Sequence, residues 1–416
     1  MKVHLIDVDP NERRLLTYTF IAHAVSDAWH ILYPSLLFLI AVDYENLFFL
    51  AVLANVVIAS RALAGVLAGI ISDRYNARIL YAAFAILSAA GSFMAAAPWG
   101  PVGLAAGLFV LGVGTGIYHP VGLAAIGRNI RQKAPALGIH EMGGLVGLGI
   151  LPIAIVSIGV RFGWEWGFVL AGFLSLIPLV TLFLAPKEFD HPPKAESRQT
   201  VSLKEVVRLF TQKKVMGIYL TAAFLETSQM GFTTFLTLAI ADIGGFGERT
   251  FLQISITALY LSFTILIGSP GSLLGGRLGD KFSPVKVLTV LSLVPIPFLI
   301  LMGMTTGALW LALAAVIRFP FTAMSPLVNT MIAQQLPGNT QGKAYAISYG
   351  LGPIIAALVA LLAGVIAEAH GVEWVFPLMA VFLIPASLSA LLMLGSSKEE
   401  RIANKEAAAT ASQGSD

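Results

Sequence analysis

Long apolar runs separated by short polar loops dominate the pattern of this chain. A membrane-spanning helix needs about 20 mostly apolar residues. Twelve such runs are centred near residues 28, 58, 88, 114, 147, 175, 228, 262, 295, 320, 354 and 384. The runs are continuously apolar rather than alternating, which favours helices over the strands of a barrel. The pattern therefore predicts an all-α membrane protein with twelve transmembrane helices.

Composition narrows the class of protein further. Only 12% of the 416 residues are charged and 57% are apolar, whereas soluble domains carry about 25% charged residues. Soluble enzymes, nucleic-acid-binding proteins and disordered proteins are therefore poor fits. The chain has no Cys, which excludes disulfides, thiol nucleophiles and Cys-ligated zinc. We expect no cofactor and no nucleic-acid partner.

Basic residues are concentrated in the loops of one side. If the helices alternate in direction, 22 of the 26 Lys and Arg residues fall on the side of the N-terminus, and only Arg161 and Arg249 fall on the other. Basic loops remain on the cytoplasmic side of a membrane. We therefore expect a multi-pass protein of the inner cell membrane with both termini in the cytoplasm.

A central polar stretch divides the chain into two halves. Residues 186–214 include two consecutive prolines and a run of mixed charge, and they predict a linker. The predicted order is a cytoplasmic N-terminus (1–14), a six-helix bundle (15–185), the cytoplasmic linker (186–214), a second six-helix bundle (215–395) and a cytoplasmic tail (396–416).

The loops after the second and eighth helices repeat one motif. Gly69 and Asp73 recur 207 residues later as Gly276 and Asp280, and each Asp precedes a basic residue. Such a carboxylate pairs with basic residues and with the N-terminus of a neighbouring helix, although these charges could also serve only to set topology. The predicted gating residues are Asp73, Arg74, Arg78, Asp280, Lys281 and, in the fifth helix, Glu141. Glu141 and the adjacent His140 are also compatible with a partly solvated pair near the helix end.

Twelve spans, a central linker and this repeated motif resemble the major facilitator superfamily over essentially the whole chain, although Asn76 stands where the family's fuller pattern has Gly. The stretches His23 to Pro34 and Gly112 to Pro120 are similar to the fosmidomycin-resistance branch of drug exporters. Gly147 to Pro152 resembles the Gly/Pro-rich motif of antiporters, with Leu151 in place of a Gly. The resemblance implies two pseudo-symmetric bundles, with helices 1 and 7 facing each other across a central cavity.

Carboxylates inside apolar runs are candidate site residues, because a charge at the bilayer centre costs several kcal/mol. Asp27 has His23 four residues before it and His30 three residues after it, so the three share a helix face. Pro34 follows one turn later and should weaken the helix and let it bend. Glu226 lies near the middle of the seventh helix. A carboxylate removed from water binds a proton readily. We predict Asp27 as the main proton carrier and Glu226 as a second carrier or substrate contact; the alternative is that both only hold helices together.

Basic residues inside the runs are the second group of candidates. A guanidinium keeps its proton, so Arg61 and Arg318 must each meet a carboxylate partner or an anionic substrate. His119 precedes Pro120 and either lines the cavity or satisfies a carbonyl that the proline leaves free. We assign substrate binding to His23, His30, Arg61, His119 and Arg318.

Two motifs resemble those of nucleotide-binding proteins and zinc proteases, but neither interpretation fits the surrounding sequence. Gly112, Gly114 and Gly116 resemble a nucleotide-binding fingerprint, but they lie inside an apolar run with no preceding strand, which favours close helix packing. His140 and Glu141 begin like a zinc-protease motif, but Gly144 stands where the second His is required. The spans contain no catalytic nucleophile with its base, so we expect no enzyme.

The sequence therefore predicts a proton-coupled secondary transporter that exports a small organic or drug-like compound in exchange for protons. We expect the substrate, protons and the lipid bilayer as partners, and a monomer. The alternative is a divalent transition-metal transporter, because span residues supply nitrogen and oxygen ligands that such ions favour. A membrane enzyme or a receptor without transport is a third class, which the rejected motifs do not support.

Overall fold

The computed structural model describes residues 8–72, 75–131, 133–186, 213–251, 254–335 and 341–393. The first half contains α1 (Pro10–Ala28), α2 (Leu32–Asp43), α3 (Leu47–Ile71), α4 (Ala77–Ala96), α5 (Gly100–Asn129), α6 (Lys133–Phe162), α7 (Trp164–Ser175) and α8 (Ile177–Val180), followed by a 3-10 turn at Thr181–Leu184. The second half contains α9 (Lys213–Asp242), α10 (Ile256–Gly268), α11 (Pro270–Lys281), α12 (Pro284–Leu293), α13 (Pro295–Met302), α14 (Gly307–Gln335), α15 (Gln341–His370) and, after a 3-10 turn at Val372–Trp374, α16 (375–393). A short antiparallel hairpin pairs β1 (Thr250–Phe251) with β2 (Ile254–Ser255).

These helices form the predicted all-α membrane fold. Ten segments of the described residues are long and apolar enough to cross a bilayer. The two further helices α9 and α15, of 30 residues each, complete twelve spans. Residues 187–212 of the predicted linker and the predicted tail, 396–416, lie outside the described residues.

The first span is broken in its middle. It runs from Pro10 to Asp43 and is interrupted between α1 and α2 at residues 29–31. Pro34 has no backbone N–H to donate to the carbonyl of His30, and its ring crowds that carbonyl, so the helix is weakened in the turn before it. The bend that Pro34 predicts is therefore present, and it lies beside the candidate residue Asp27.

Each half has its own buried core. The largest buried side chains of the first half include Trp29 and Phe168, and those of the second half include Trp310 and Phe376. Many large apolar side chains remain exposed on the outer surface, among them Leu392, which is 74% exposed. This distribution suits a bundle that faces lipid, where apolar side chains need no burial from water.

Small residues let the helices of the first half approach closely. A Cβ atom at Gly116 would overlap the backbone carbonyl of Arg61 on α3, and one at Gly114 would overlap the backbone of Ser88 on α4. The glycine series of α5 therefore serves close helix packing, as the sequence predicted.

Among the described residues, several hydrogen bonds join the two halves at one face of the bundle. We call the face near Pro10 the near face and the face near Asp43 the far face. At the far face, Leu47 N donates to Glu368 Oε2 at 2.8 Å, and Ser255 N donates to Ser157 Oγ at 3.0 Å. The Thr237 hydroxyl also donates to the carbonyl of Pro34. These hydrogen bonds join the two halves on the side of the bundle away from Pro10, and they hold the far face closed.

Candidate functional site

The carboxylate of Asp27 lies among histidine side chains. His23 and Asp27 are one turn apart on α1, and His23 Nε2 is 3.2 Å from Asp27 Oδ2. His30 follows in the break after α1, with its Nδ1 3.9 Å from Asp27 Oδ1. The three side chains therefore share one face, as their spacing predicted.

His119 reaches the same carboxylate from α5. Its Nε2 lies 3.1 Å from Asp27 Oδ1 and 3.2 Å from Nε2 of His30. The sequence left open whether this side chain lines the central region or satisfies a carbonyl freed by Pro120. In the structure it faces Asp27 and His30 and completes a cluster of three imidazoles around one carboxylate.

The orientation of His23 determines where a proton can lie. Its Nδ1 is 2.7 Å from the backbone carbonyl oxygen of His140, and because a carbonyl only accepts, Nδ1 carries a hydrogen. The Nε2 atom then faces Asp27 Oδ2, where two bare lone pairs would repel each other. One proton must therefore lie between His23 and Asp27, bonded to either of them.

His140 is the residue that the sequence reasoning missed. The interpretation as a partly solvated side chain is wrong, because His140 is 0% exposed. Its ring stacks on that of His23 with a centroid distance of 3.9 Å and an interplanar angle of 7°. The helix α6 packs closely on α1, because a Cβ at Gly143 would overlap the backbone of Phe20 and one at Gly147 that of Ala24. The adjacent Glu141 is half-buried and within electrostatic range of the same cluster.

Two glycines, which have no side chain, allow the carboxylates of Asp27 and Glu226 to pack directly against the backbone of a neighbouring helix. A Cβ at Gly144 of α6 would overlap Asp27 Oδ2, and a Cβ at Gly352 of α15 would overlap Glu226 Oε2. In each half, a carboxylate on the first span therefore packs on a glycine of the fifth span. No motif in the sequence marked either glycine for this position.

Arg61 is buried on α3 and interacts electrostatically with both carboxylates. Its side chain is 8% exposed, and its Nη2 lies 3.9 Å from Met230 Sδ on α9. The acidic groups that act on its charge are Glu226 of the second half and Asp27 of the first. Arg61 thus provides one positive charge to both halves.

Arg318 has a different environment on α14. Its Nη1 donates to Thr233 Oγ1 at 3.2 Å, and its Cζ lies 5.1 Å from the centroid of the Phe232 ring. Its Nε and Nη2 atoms are buried and have no hydrogen-bond partner among the described residues. Among the described residues, Arg318 forms no ion pair with Asp27 or Glu226, which were its possible carboxylate partners.

The predicted gating residues are only partly within the described residues. Asp73, Arg74 and the side chain of Asp280 lie outside them. Arg78 donates to the carbonyls of Leu182 and Ala185 at 2.9 and 3.0 Å, and these bonds join the start of α4 to the 3-10 turn that follows α8. Lys281 is exposed, with its Nζ 5.5 Å from the Phe282 ring. A gating role for these residues stays a prediction.

The histidine cluster also has the spacing of a metal site. One ligand atom from each of His23, Asp27 and His119 lies within 4.8 Å of the others. Imidazole nitrogen and carboxylate oxygen are ligands that Zn²⁺ and similar ions accept. These three residues are the ones that could hold a divalent ion in the described part of the chain.

Comparison with known proteins agrees with this architecture. A family profile described as Major Facilitator Superfamily matches residues 18–322. The chain is 24% identical to the hexuronate transporter of Escherichia coli strain K12 over 344 residues, which are 76% of this chain and 78% of that protein. It is 25% identical over 244 residues to the multidrug resistance protein MdtG of Proteus mirabilis strain HI4320, covering 56% and 58% of the two chains.

A solved structure extends the comparison to nearly the full chain. The crystal structure of a bacterial homolog of the human lysosomal transporter Spinster, in an inward-facing and occupied conformation, matches with a TM-score of 0.75. The sequence identity is 16%, and the match covers 93% of this chain and 97% of the other. At this identity, the likeness establishes the fold.

Proposed function

The chain belongs to the major facilitator superfamily, and from this we propose that it is a proton-coupled secondary transporter that exports a small organic compound by alternating access. Its family and its structural neighbours are membrane transporters rather than enzymes. The resemblance to the fosmidomycin-resistance branch, the export direction and the cytoplasmic position of both termini stay predictions.

The contact between His23 and Asp27 is the single observation that carries the proton-coupling proposal. The backbone carbonyl of His140 fixes the hydrogen on His23 Nδ1, so that His23 Nε2 and Asp27 Oδ2 hold one proton between them. The site lies beside the break in the first span, where a change in the helix would alter this distance. A proton held there can be bound on one side of the membrane and released on the other.

Glu226 and Arg61 extend this proposal to both halves. Because Arg61 interacts with the charges of Asp27 and Glu226, neutralising either carboxylate changes the balance of charge between the bundles. In a low-dielectric region such a change is large relative to thermal energy. We therefore assign Glu226 as a second proton carrier and Arg61 as the positive charge shared by the two sites.

Closure of the far face supports alternating access. The hydrogen bonds from Leu47 to Glu368 and from Ser255 to Ser157 would have to break for the far face to open. With the orientation predicted from the basic loops, the far face would be the extracytoplasmic side of the protein. Rocking of the two bundles about the central site then exposes it to either side.

A disulfide across the far face is expected to stop transport. Ser157 Oγ on α6 lies 3.0 Å from the backbone N of Ser255 on β2, so the double variant Ser157→Cys/Ser255→Cys places two thiols close enough to be cross-linked. The natural chain has no Cys, so oxidation forms only this bond. Transport by proteoliposomes should fall to background after oxidation and recover after reduction. Full transport by the oxidised, cross-linked protein would contradict the proposed opening of the far face.

The geometry of the histidine cluster supports a second candidate function, the transport of a divalent metal ion. The ligand atoms of His23, Asp27 and His119 lie close enough together to coordinate one ion. In addition, His23 donates its other ring nitrogen to a backbone carbonyl, which is a common arrangement for histidines that bind metals.

One assay separates the two candidates. Proteoliposomes loaded with a pH-sensitive dye are given D-glucuronate, ethidium or Zn²⁺, in the presence of a pH gradient. The proposed function predicts protein-dependent proton movement with glucuronate or ethidium, which represent the chemistry named for the hexuronate and multidrug relatives. Metal transport predicts uptake of Zn²⁺ that is lost in His119→Ala. Zn²⁺ uptake with no response to either organic compound would replace the proposed function.

A further inference from the structure

We propose that Arg318 binds the substrate through a carboxylate, and that the substrate class is therefore a small organic monoanion. This inference rests on the proposed transport function and specifies its substrate. Four observations support it: the burial of two guanidinium nitrogens of Arg318, the contacts that hold its side chain, the lack of hydrogen-bond partners for these two nitrogens among the described residues, and the charges of the nearby groups.

Arg318 is held in place without being neutralised. The hydroxyl of Thr233 accepts from Nη1, and the face of the Phe232 ring lies against the guanidinium. Gly268 of α10 packs on the backbone and Cβ of Arg318, where a larger residue would collide. A hydroxyl and an aromatic face orient a guanidinium, but neither supplies a negative charge.

The unpaired atoms of Arg318 form one edge of its guanidinium. Nη1 is used by Thr233, whereas Nε and Nη2 have no partner among the described residues. Nε and Nη2 point their N–H groups in parallel, and this is the edge that receives the two oxygens of a carboxylate in a bidentate pair. Buried polar groups are otherwise hydrogen-bonded in proteins. The free edge therefore has the shape of a carboxylate-binding site.

The surrounding charges favour a single negative charge on the ligand. Asp27 and Glu226 act on the charge of Arg61, whereas no acidic group among the described residues acts on the charge of Arg318. Among the described residues, Arg318 is thus a cation of the second half whose buried Nε and Nη2 atoms have no acidic partner. A monoanion would neutralise it, whereas a dianion such as phosphate would leave one negative charge buried without a partner.

The test compares an anion with its neutral counterpart. Purified protein in lipid nanodiscs is titrated with D-glucuronate, benzoate, D-glucose and inorganic phosphate, using wild type, Arg318→Gln and Arg318→Lys. The matched control is Arg249→Gln, since Arg249 is an exposed basic residue. We expect at least one carboxylate to bind the wild type and the control. Its affinity should fall at least tenfold in Arg318→Gln and be partly retained in Arg318→Lys, which preserves the charge but not the bidentate edge.

Several results would overturn the anion site. These are equal carboxylate binding by wild type and a folded Arg318→Gln, tighter binding of phosphate than of either carboxylate, or no binding of any of the anions to the wild type. Melting temperature and elution profile establish that each variant is folded. If carboxylates bind through Arg318 but a pH gradient drives no transport, the proposed function fails while the anion site stands. If a pH gradient drives transport of ethidium but no carboxylate binds, the anion site fails while the proposed function stands.

Discussion

Asp27→Asn is expected to abolish transport driven by a proton gradient, reducing it at least a hundredfold. The amide has nearly the shape of the carboxyl group but cannot bind or release a proton. Because His23 and His119 both contact the carboxylate of Asp27, the amide removes the proton-binding group at the centre of the cluster. Exchange of labelled for unlabelled substrate needs no net proton movement, so it should persist in this variant.

The measurement is accumulation in proteoliposomes against a substrate gradient, compared with exchange at equal pH on both sides. Asp242→Asn is the control, because Asp242 is exposed at the end of α9, away from the cluster. It removes one carboxylate without touching the site and should transport like the wild type. Accumulation by Asp27→Asn at the level of the wild type would show that Asp27 does not carry the coupled proton.

The sequence predicted those features that depend on local spacing. The apolar runs gave twelve spans, and the helical period placed His23, Asp27 and His30 on one face. Pro34 predicted the bend that separates α1 from α2. Each of these follows from residues of a single apolar run, so no knowledge of the neighbouring helices was needed.

Contacts between distant segments could not be predicted in the same way. The stacking of His140 on His23 joins residues that are 117 positions apart, and it depends on how closely α6 docks on α1. Likewise, sequence alone leaves two equivalent interpretations of Arg318, as the partner of a carboxylate or as a contact of the substrate. Only the packing of α9 on α14 shows that Thr233 and Phe232 are its neighbours.

The pairing of glycines with carboxylates leads to the second large effect. Gly144→Ala is expected to lower proton-driven transport about a hundredfold, although it adds only one methyl group. That methyl would occupy the position of Asp27 Oδ2 and crowd His23, so the carboxylate must move away from its histidines. Displacing a reacting group by about 1 Å is enough for losses of this size. Gly352→Ala should act in the same way on Glu226.

A matched control lies on the same helix. Gly138 also belongs to α6, but a Cβ there would meet nothing within 4 Å, so Gly138→Ala makes the same chemical change in open space. Alanine is the better helix former, and this control should transport normally with an unchanged or slightly higher melting temperature. A displaced carboxylate also predicts that Gly144→Ala shifts the pH at which transport is half-maximal, whereas simple loss of folded protein would lower activity equally at every pH. If Gly144→Ala and Gly138→Ala transport alike, the position of Asp27 against α6 is not what sets the coupling.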